Sequence, residues 1–296
     1  MKTISPLRRL GLKLLTLGSL AFIATGVLAA DPKRALVVTT TMGFRHSSIP
    51  TAERVLATIA TNSGVFSVEF ARVEPTDPEF KGADGKPDSS KVKAAIARVL
   101  EEKMNVAALK NYDLIIFANT TGGRSAGDLP LPDKQAFLDW IKSGKAFVGM
   151  HSATDTFRGH QPVDSYVEMI GGEFKSHPPG LYDVVCNIED PKHPACADFQ
   201  KPYEVKDEIY MLNAFHRDRV HMLLSLDKHP RDRSEGYFPI AWCKEYGKGK
   251  VFYTSLGHAE TVWEDPIYQK HILGGIKWGL GLLPGDAKPQ TPAASE

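Results

Sequence analysis

The sequence predicts an α/β fold, a doubly wound and mostly parallel sheet with a mixed or antiparallel extension. Two observations support this prediction. Between residues 35 and 150, short apolar runs rich in Val, Ile and Phe alternate with segments whose apolar residues have helical spacing. Beyond Gly180, strand-like runs continue without long helices between them. Strands joined by helices form right-handed parallel units, whereas directly connected strands pair in antiparallel fashion.

The first half of the chain alternates between predicted strands and helices. Pro50 begins the first helix because proline fits the first helical turn, and Val55 and Ile59 follow at helical spacing. Residues 74–90 are rich in Pro, Gly, Asp and Ser and predict a loop. The predicted strands are residues 35–40, 66–72, 113–118 and 145–150, and the predicted helices are residues 51–60, 91–104 and 133–142.

The second half contains predicted strands with few helices. Residues 250–255 return to the buried, β-branched pattern, and residues 267–280 form a last helix that a following glycine terminates. Residues 284–296 are rich in Pro and Ala and are expected to be disordered. We therefore expect one folded domain over residues 31–283. The remaining predicted strands are residues 182–188, 221–226 and 239–245.

Composition excludes several classes of protein. The chain of 296 residues is 42% hydrophobic and 9% aromatic, which is too apolar for a disordered protein. Its three cysteines, Cys186, Cys196 and Cys243, are too few for a disulfide scaffold. One disulfide remains open, with Cys186 and Cys196 nearest in sequence, but buried thiols are the favoured interpretation. With 36 basic and 35 acidic residues, the chain has no basic field for nucleic acid.

Residues 1–30 have the pattern of an export signal. A basic start with no acidic residue leads into a short apolar run that ends in small residues. A membrane anchor is the alternative, but the run is shorter than the roughly 20 residues that a bilayer span requires. Arg8 and Arg9 partly resemble a twin-arginine signal. We expect a periplasmic or secreted protein without a stable membrane span, in which 32 basic and 35 acidic residues remain after cleavage.

Three histidines follow predicted strands of the parallel sheet. His46, His151 and His258 come after the first, the fourth and the last of these strands. Ligands of doubly wound folds bind at the carboxyl ends of the strands, so we expect the three imidazoles on one rim. They are candidates for general acid and base, for sugar-hydroxyl binding and for metal ligation.

The segment Gly149-Met-His151-Ser152-Ala153 has the layout of a nucleophile elbow. Such a sharp turn from strand to helix exposes one side chain, which here is His151. Ser152 is a rival nucleophile. Because no Gly-x-Ser-x-Gly surrounds it, the sequence disfavours a serine hydrolase.

Several ordered motifs resemble the trehalose-utilisation (ThuA-like) family over about Ala35 to Leu282. This resemblance implies a flavodoxin-like fold of the class I glutamine amidotransferase-like type. The motifs are Thr41-Met-Gly-Phe-Arg-His-Ser-Ser48, Gly149-Met-His-Ser-Ala-Thr-Asp-Thr-Phe157, Ile170-Gly-Gly-Glu-Phe174 with His177-Pro178, Asp207-Glu-Ile-Tyr210, and Gly247-Lys-Gly-Lys-Val-Phe-Tyr253 with Leu256-Gly-His258.

The resemblance also separates this chain from glutamine amidotransferases. His151 stands where those enzymes carry their cysteine nucleophile, whereas His258-Ala-Glu260 retains their His-x-Glu. Hydrolysis through a thioester is therefore excluded. The resemblance implies a carbohydrate-processing enzyme for a glycoside or 3-keto sugar, acting by elimination, isomerisation or hydrolysis. His151 and His258 are the expected acid/base pair, and Glu260 is expected to orient His258.

Further polar and aromatic residues are expected to bind the carbohydrate. If a divalent metal is present, the expected ligands are His46, His151, His258 and Glu208. The competing hypothesis is a non-catalytic carbohydrate-binding module on a degenerate amidotransferase scaffold. The expected substrate-binding residues are Arg45, His46, Ser152, Asp155, His177, Glu208 and Trp263.

Overall fold

A computed structural model describes Met1, residues 31–200 and residues 202–290. The predicted export signal, residues 1–30, lies outside the described residues apart from Met1. Within the described part of the chain, no helix combines the length and the apolar character that a membrane span needs.

The strands lie close to their predicted positions. The longest, β12, begins at Glu235, four residues before the predicted start. The bounds are β1 Lys33–Val38, β2 Phe66–Ala71, β3 Leu114–Ala118, β4 Gly122–Gly123, β5 Ala146–Met150, β6 Thr156–Arg158, β7 Glu173–Ser176, β8 Tyr182–Ile188, β9 Tyr203–Asp207, β10 Met211–Asn213, β11 His221–Lys228, β12 Glu235–Tyr246 and β13 Gly249–Thr254.

The long helices also agree with the predicted pattern. Asp88 caps the second helix by accepting hydrogen bonds from the backbone N–H groups of Ser90 and Lys91. Pro50 stands in the first turn of the first helix, as the sequence indicates. The helices are α1 Ile49–Ser63, α2 Ser89–Met104, α3 Val106–Leu109, α4 Lys134–Lys142, α5 Ser165–Ile170, α6 Glu260–Glu264 and α7 Pro266–Gly279.

The central sheet confirms the predicted fold class. Its order is β2-β1-β3-β5-β13-β12-β11-β8-β9. The first five strands are parallel, and β12, β11, β8 and β9 continue the sheet in antiparallel fashion. The strands β3, β5 and β13 end level, since Met150 is opposite both Ala118 and Thr254. The loops that follow them therefore leave the sheet at one edge.

Apolar side chains pack on both faces of this sheet. Along β1, Ala35 and Val37 belong to one hydrophobic cluster, and Leu36 and Val38 belong to the other. Successive strand residues point to opposite faces, so a strand covered by helices on both sides is apolar throughout. The helices α1 and α7 supply one cluster and α2, α4 and α5 supply the other. This two-sided burial explains the continuous apolar runs of the sequence.

The sequence did not predict β9 or several short elements. The strands β7 and β10 form a two-stranded ribbon, β4 pairs with β6, and α5 and α6 have only six and five residues. Such lengths are too short for a periodic pattern to emerge. Asp164 and Gly171 (φ 95°) nevertheless cap α5 in the usual way.

The cysteines and the C-terminal segment complete the fold. All three cysteines are buried and free, so no disulfide joins Cys186 to Cys196.

The first part of the C-terminal segment 284–296, which the sequence predicts to be disordered, contacts β11. Lys288 O lies 2.8 Å from His221 Nδ1, and Met222 N donates to Gln290 Oε1 at 3.1 Å. Residues 291–296 lie outside the described residues, and their disorder stays a prediction.

Two glycines of α7 provide a matched test of its packing against the sheet. A Cβ atom at Gly275 would collide with the buried ring of Phe252 on β13, whereas one at Gly279 would meet only Ala146 Cβ at 3.4 Å. We expect Gly275→Ala to lower the free energy of unfolding by about 1–3 kcal/mol, because an overpacked core forces the helix from the sheet. Gly279→Ala should be neutral or stabilising, since alanine is the better helix former. Urea unfolding measures both, and equal effects would contradict this packing.

Buried histidines predict that the fold weakens in acid. Burial lowers the pKa of His271 and of His193 from 6.5 to about 4. In the unfolded chain both imidazoles accept protons below pH 6.5, so the free energy of unfolding falls as pH decreases from about 6.5 to about 4.

The contribution of His271 can be isolated by substitution. His271 Nδ1 lies 2.7 Å from Ala195 O, a contact that the side-chain amide of asparagine can reproduce. Between pH 7 and pH 5 the free energy of unfolding, measured with urea, should fall less for His271→Asn than for wild type, because one histidine fewer gains a proton on unfolding. The exposed His216 is the control, and His216→Asn should retain the wild-type slope. An unchanged slope for His271→Asn would contradict the prediction.

Candidate active site

Four loops bring the predicted histidines and Glu208 together at the carboxyl edge of the parallel strands. His46 lies in the loop after β1, and His151 begins a short 3-10 helix directly after β5. His258 lies between β13 and α6, and Glu208 directly follows β9. His151 has φ 46°, a left-handed conformation that fits the sharp turn of an elbow.

Glu208 is the centre of this cluster. Its Oε2 lies 3.2 Å from His258 Nδ1 and 3.6 Å from His151 Nε2, and its Oε1 lies 3.0 Å from His177 Nδ1. His151 Nε2 also lies 3.2 Å from His46 Nε2. The structure therefore places the predicted histidines beside the Glu208 carboxylate, which contacts His151, His177 and His258. One ligand atom from each of His46, His151, Glu208 and His258 lies within 4.8 Å of all the others, so the cluster could hold a metal ion.

Burial keeps two of these imidazoles neutral. His151 is inaccessible to solvent, and burial and the neighbouring His46 hold its pKa well below the usual value. Burial, with His258 and His177 nearby, lowers the pKa of His46 to about 3. His151 Nδ1 lies 2.8 Å from Ser255 O. Because a carbonyl only accepts, Nδ1 carries the proton and Nε2 offers its lone pair to the cluster.

His258 has the opposite electrostatic environment. Its side chain is 29% exposed, and the adjacent Glu208 carboxylate raises its pKa above the usual value. A protonated His258 beside a neutral His151 gives the site an acid and a base. An added cation at the cluster would instead favour neutral imidazoles throughout.

Asp207 holds the loop that carries His258. It accepts hydrogen bonds from the backbone N–H groups of Gly257 at 2.7 Å and Ala259 at 2.9 Å, and His258 N lies 3.4 Å away. Burial raises the pKa of Asp207 to about 6. Asp207 was not among the predicted site residues, although it stands in the motif Asp207-Glu-Ile-Tyr210.

A cleft of about 350 Å³ opens over the cluster. Its walls include residues that the sequence analysis did not select: Phe44, Arg158, Phe174 and Tyr210. Phe44, Phe174 and Tyr210 stand in the family motifs, but the motifs do not tell which of their side chains line the cleft, so the tertiary structure reveals them. The lining residues are Phe44, His46, Asp155, Arg158, Phe174, His177, Glu208, Tyr210 and His258.

Two further predicted residues border the cluster. Ser152 is buried with its Oγ 3.4 Å from His46 Nδ1, so it contacts a histidine of the centre. Asp155 lines the cleft and forms an ion pair with Arg158. Burial nevertheless raises the pKa of Asp155 to about 6.

Three predicted residues point elsewhere. Glu260 is exposed at the first position of α6, and among the described residues no ion pair joins it to His258, whose carboxylate partner is Glu208. Arg45 turns away to pair with Glu74 at 2.8 Å. Trp263 is inaccessible to solvent and donates to Gly257 O at 2.7 Å, so it supports the loop from the core and cannot stack on a sugar.

Comparison with known proteins identifies the family of this fold. The sequence matches the family described as ThuA, trehalose utilisation, over residues 34–279. The structure is similar to a ThuA-like protein from Bacteroides uniformis ATCC 8492, with 19% identity, a TM-score of 0.59 and coverage of 88% of this chain and 95% of that chain. A ThuA-like protein from Parabacteroides merdae ATCC 43184 has 19% identity, a TM-score of 0.57 and coverage of 88% and 93%.

A search of curated proteins with the sequence finds no match. The two similar structures share the fold at low identity, and the family match covers nearly all of the described residues. The resemblance of the five motifs is thereby confirmed: the chain belongs to the ThuA family, trehalose utilisation.

Proposed function

We propose that this protein is a carbohydrate-processing enzyme whose His/Glu cluster binds one divalent metal ion. The observation that carries the proposal is the convergence of His46, His151, Glu208 and His258, with their ligand atoms within 4.8 Å of one another. These residues come from four separate loops, so their meeting is a product of the tertiary structure and not of a local turn.

The spacing of the ligand atoms suits an ion. At metal–ligand distances of about 2.1 Å, two ligands of a tetrahedral ion are about 3.4 Å apart. The separations are 3.2 Å for His46 Nε2 to His151 Nε2, 3.2 Å for His258 Nδ1 to Glu208 Oε2 and 3.6 Å for His151 Nε2 to Glu208 Oε2. Three imidazoles and one carboxylate favour a first-row transition metal such as Zn²⁺ over Mg²⁺ or Ca²⁺.

The surrounding contacts support the same proposal. His151 Nδ1 is bound to Ser255 O and His177 Nδ1 faces Glu208 Oε1, as residues around a metal site orient its ligands. His258 Nδ1 and Glu208 Oε2 lie 3.2 Å apart, without the angles of a hydrogen bond. A cation would bind both atoms and satisfy the buried nitrogen.

The family description and the cleft support a carbohydrate substrate. A keto group beside a sugar carbon acidifies its C–H bond, and a cation would stabilise the negative charge that develops on the keto oxygen. In an elimination, a base removes that proton, the electron pair forms a C=C bond, and the neighbouring C–O bond breaks. The aglycone leaves with a proton from the acid. The proposed substrate is thus a glycoside or its 3-keto derivative, and the predicted export would place the reaction in the periplasm or outside the cell.

A second candidate is acid/base catalysis without a metal. The raised pKa of His258 beside Glu208 favours it, because a protonated His258 can donate to a leaving group while the unprotonated Nε2 of His151 accepts a proton. Both mechanisms exclude glutamine hydrolysis, since His151 occupies the elbow. A non-catalytic carbohydrate-binding module is the third outcome to be tested.

Metal analysis of the purified protein tests the proposal. We expect about one ion per chain after equilibration with Zn²⁺ or Mn²⁺ and dialysis, and loss of turnover of a 3-keto glycoside on chelation. Glu208→Gln should weaken metal affinity at least about tenfold, because it removes the central negative ligand. Glu260→Gln is the matched control and should retain full metal content, since Glu260 is exposed and outside the cluster.

The other outcomes distinguish the three hypotheses. Turnover that persists without metal, and is lost in His151→Ala, would favour the acid/base pair. Sugar binding without turnover across a broad panel of glycosides and 3-keto glycosides would favour the binding module. Equal metal content in wild type and Glu208→Gln would contradict the proposed centre.

A further inference from the structure

Phe44 is an exposed aromatic side chain at the cleft. It is 66% exposed, although burying a phenylalanine gains about 2 kcal/mol or more. Its ring meets that of His46 edge-on, with centroids 4.9 Å apart. A large apolar side chain left in solvent beside a polar cleft is a candidate contact for a ligand.

The backbone around Phe44 is held in place. Gly43 N donates to Thr121 Oγ1 at 3.1 Å, and Thr121 Oγ1 donates to Phe44 O at 3.0 Å. A Cβ atom at position 43 would meet Thr121 Oγ1 at 3.4 Å, so the loop packs closely on this threonine. The next side chain, Arg45, turns away to Glu74. The exposure of Phe44 is therefore a property of a well-anchored loop, which presents Phe44 and His46 to the same cleft.

A continuous series of rings connects Phe44 to the other side of the cluster. The centroid of His46 lies 4.7 Å from that of His151, His151 lies 4.4 Å from Tyr210, and Tyr210 lies 4.3 Å from Phe174. Phe44 and Phe174 are the ends of this series, and two candidate metal ligands, His46 and His151, lie within it.

The two ends of the series differ in what their rings contact. The Phe174 ring already packs against Tyr210, His177 and the guanidinium of Arg158, which lies 5.1 Å from its centroid. Among the described residues, the aromatic neighbour of Phe44 is His46, whose ring plane is nearly perpendicular to that of Phe44 and so leaves at least one face of Phe44 uncovered. Phe44 is thus the end of the series that has a ring face for a ligand.

We infer that Phe44 stacks on the apolar face of a pyranose ring, in a glycoside whose hydroxyl groups reach the His/Glu cluster. This inference rests on the proposed carbohydrate function and names the residue that binds the sugar. A glucose-type ring has C–H bonds on its faces and hydroxyls at its rim, so it matches an aromatic face beside a polar centre. The sequence predicted Trp263 as the aromatic residue that binds the sugar, but Trp263 is inaccessible to solvent, and we assign this role to Phe44.

Binding measurements on a series of Phe44 variants test the inference. The probes are trehalose, methyl β-D-glucopyranoside and its 3-keto derivative, measured by calorimetry and by proton NMR with the Zn²⁺-loaded protein. We expect Phe44→Ala to weaken binding at least about tenfold, Phe44→Leu to weaken it less, and Phe44→Trp to retain it. Ring-current shifts of the sugar C–H protons should appear with wild type and Phe44→Trp and be lost with Phe44→Ala and Phe44→Leu.

Controls separate this inference from the proposed function. Val185 is an exposed apolar residue on β8 that does not line the cleft, and Val185→Ala should bind the sugars as wild type does. Metal content should be equal in all Phe44 variants, because Phe44 offers no ligand atom. Wild-type affinity in Phe44→Ala would overturn the stacking role while leaving the carbohydrate function intact. Absence of glycoside binding by the metal-loaded wild type would overturn both.

Discussion

Two adjacent carboxylates, Asp207 and Glu208, hold the candidate active site together. Asp207 binds the backbone of the loop Gly257–Ala259, and Glu208 faces the side chains of His151, His177 and His258. Burying a carboxylate is unfavourable unless donors surround it. The two acids therefore favour one arrangement of the Gly257–Ala259 loop, which donates backbone N–H groups to Asp207 and carries His258 beside Glu208.

The contacts of Asp207 and Glu208 join the two halves of the sheet. The parallel half delivers His46 and His151 from the ends of β1 and β5, whereas the carboxylates follow β9 at the edge of the antiparallel extension. Tyr203 on β9 donates to Asp265 at 2.7 Å, next to the start of α7, and reinforces the same junction. The extension is thus part of the site, because without it the histidines would lack their carboxylate.

The chemistry of the site follows from unequal burial. His46 and His151 are buried and neutral, with nitrogen lone pairs directed at their neighbours, whereas His258 is partly exposed beside Glu208 and has a raised pKa. A buried cluster of imidazole lone pairs beside the Glu208 carboxylate is suited to a cation or to a proton. A thiol nucleophile at the elbow would have given a different site, and His151 occupies that position here.

The sequence by itself determined the fold class, the family and the rim on which the histidines meet. Strand and helix periodicities are local, and doubly wound folds direct their loops to one edge, so His46, His151 and His258 could be predicted together. Proximity in sequence was a poor guide to the carboxylate partner of His258. Glu260 lies two residues away but is exposed at the surface, whereas Glu208, which follows β9, contacts the imidazole. Residue type was an equally poor guide to the solvent exposure of a side chain, because Trp263 is buried and Phe44 is exposed. Only the tertiary structure decided these points, because burial and side-chain partners depend on contacts between segments that are distant in the chain.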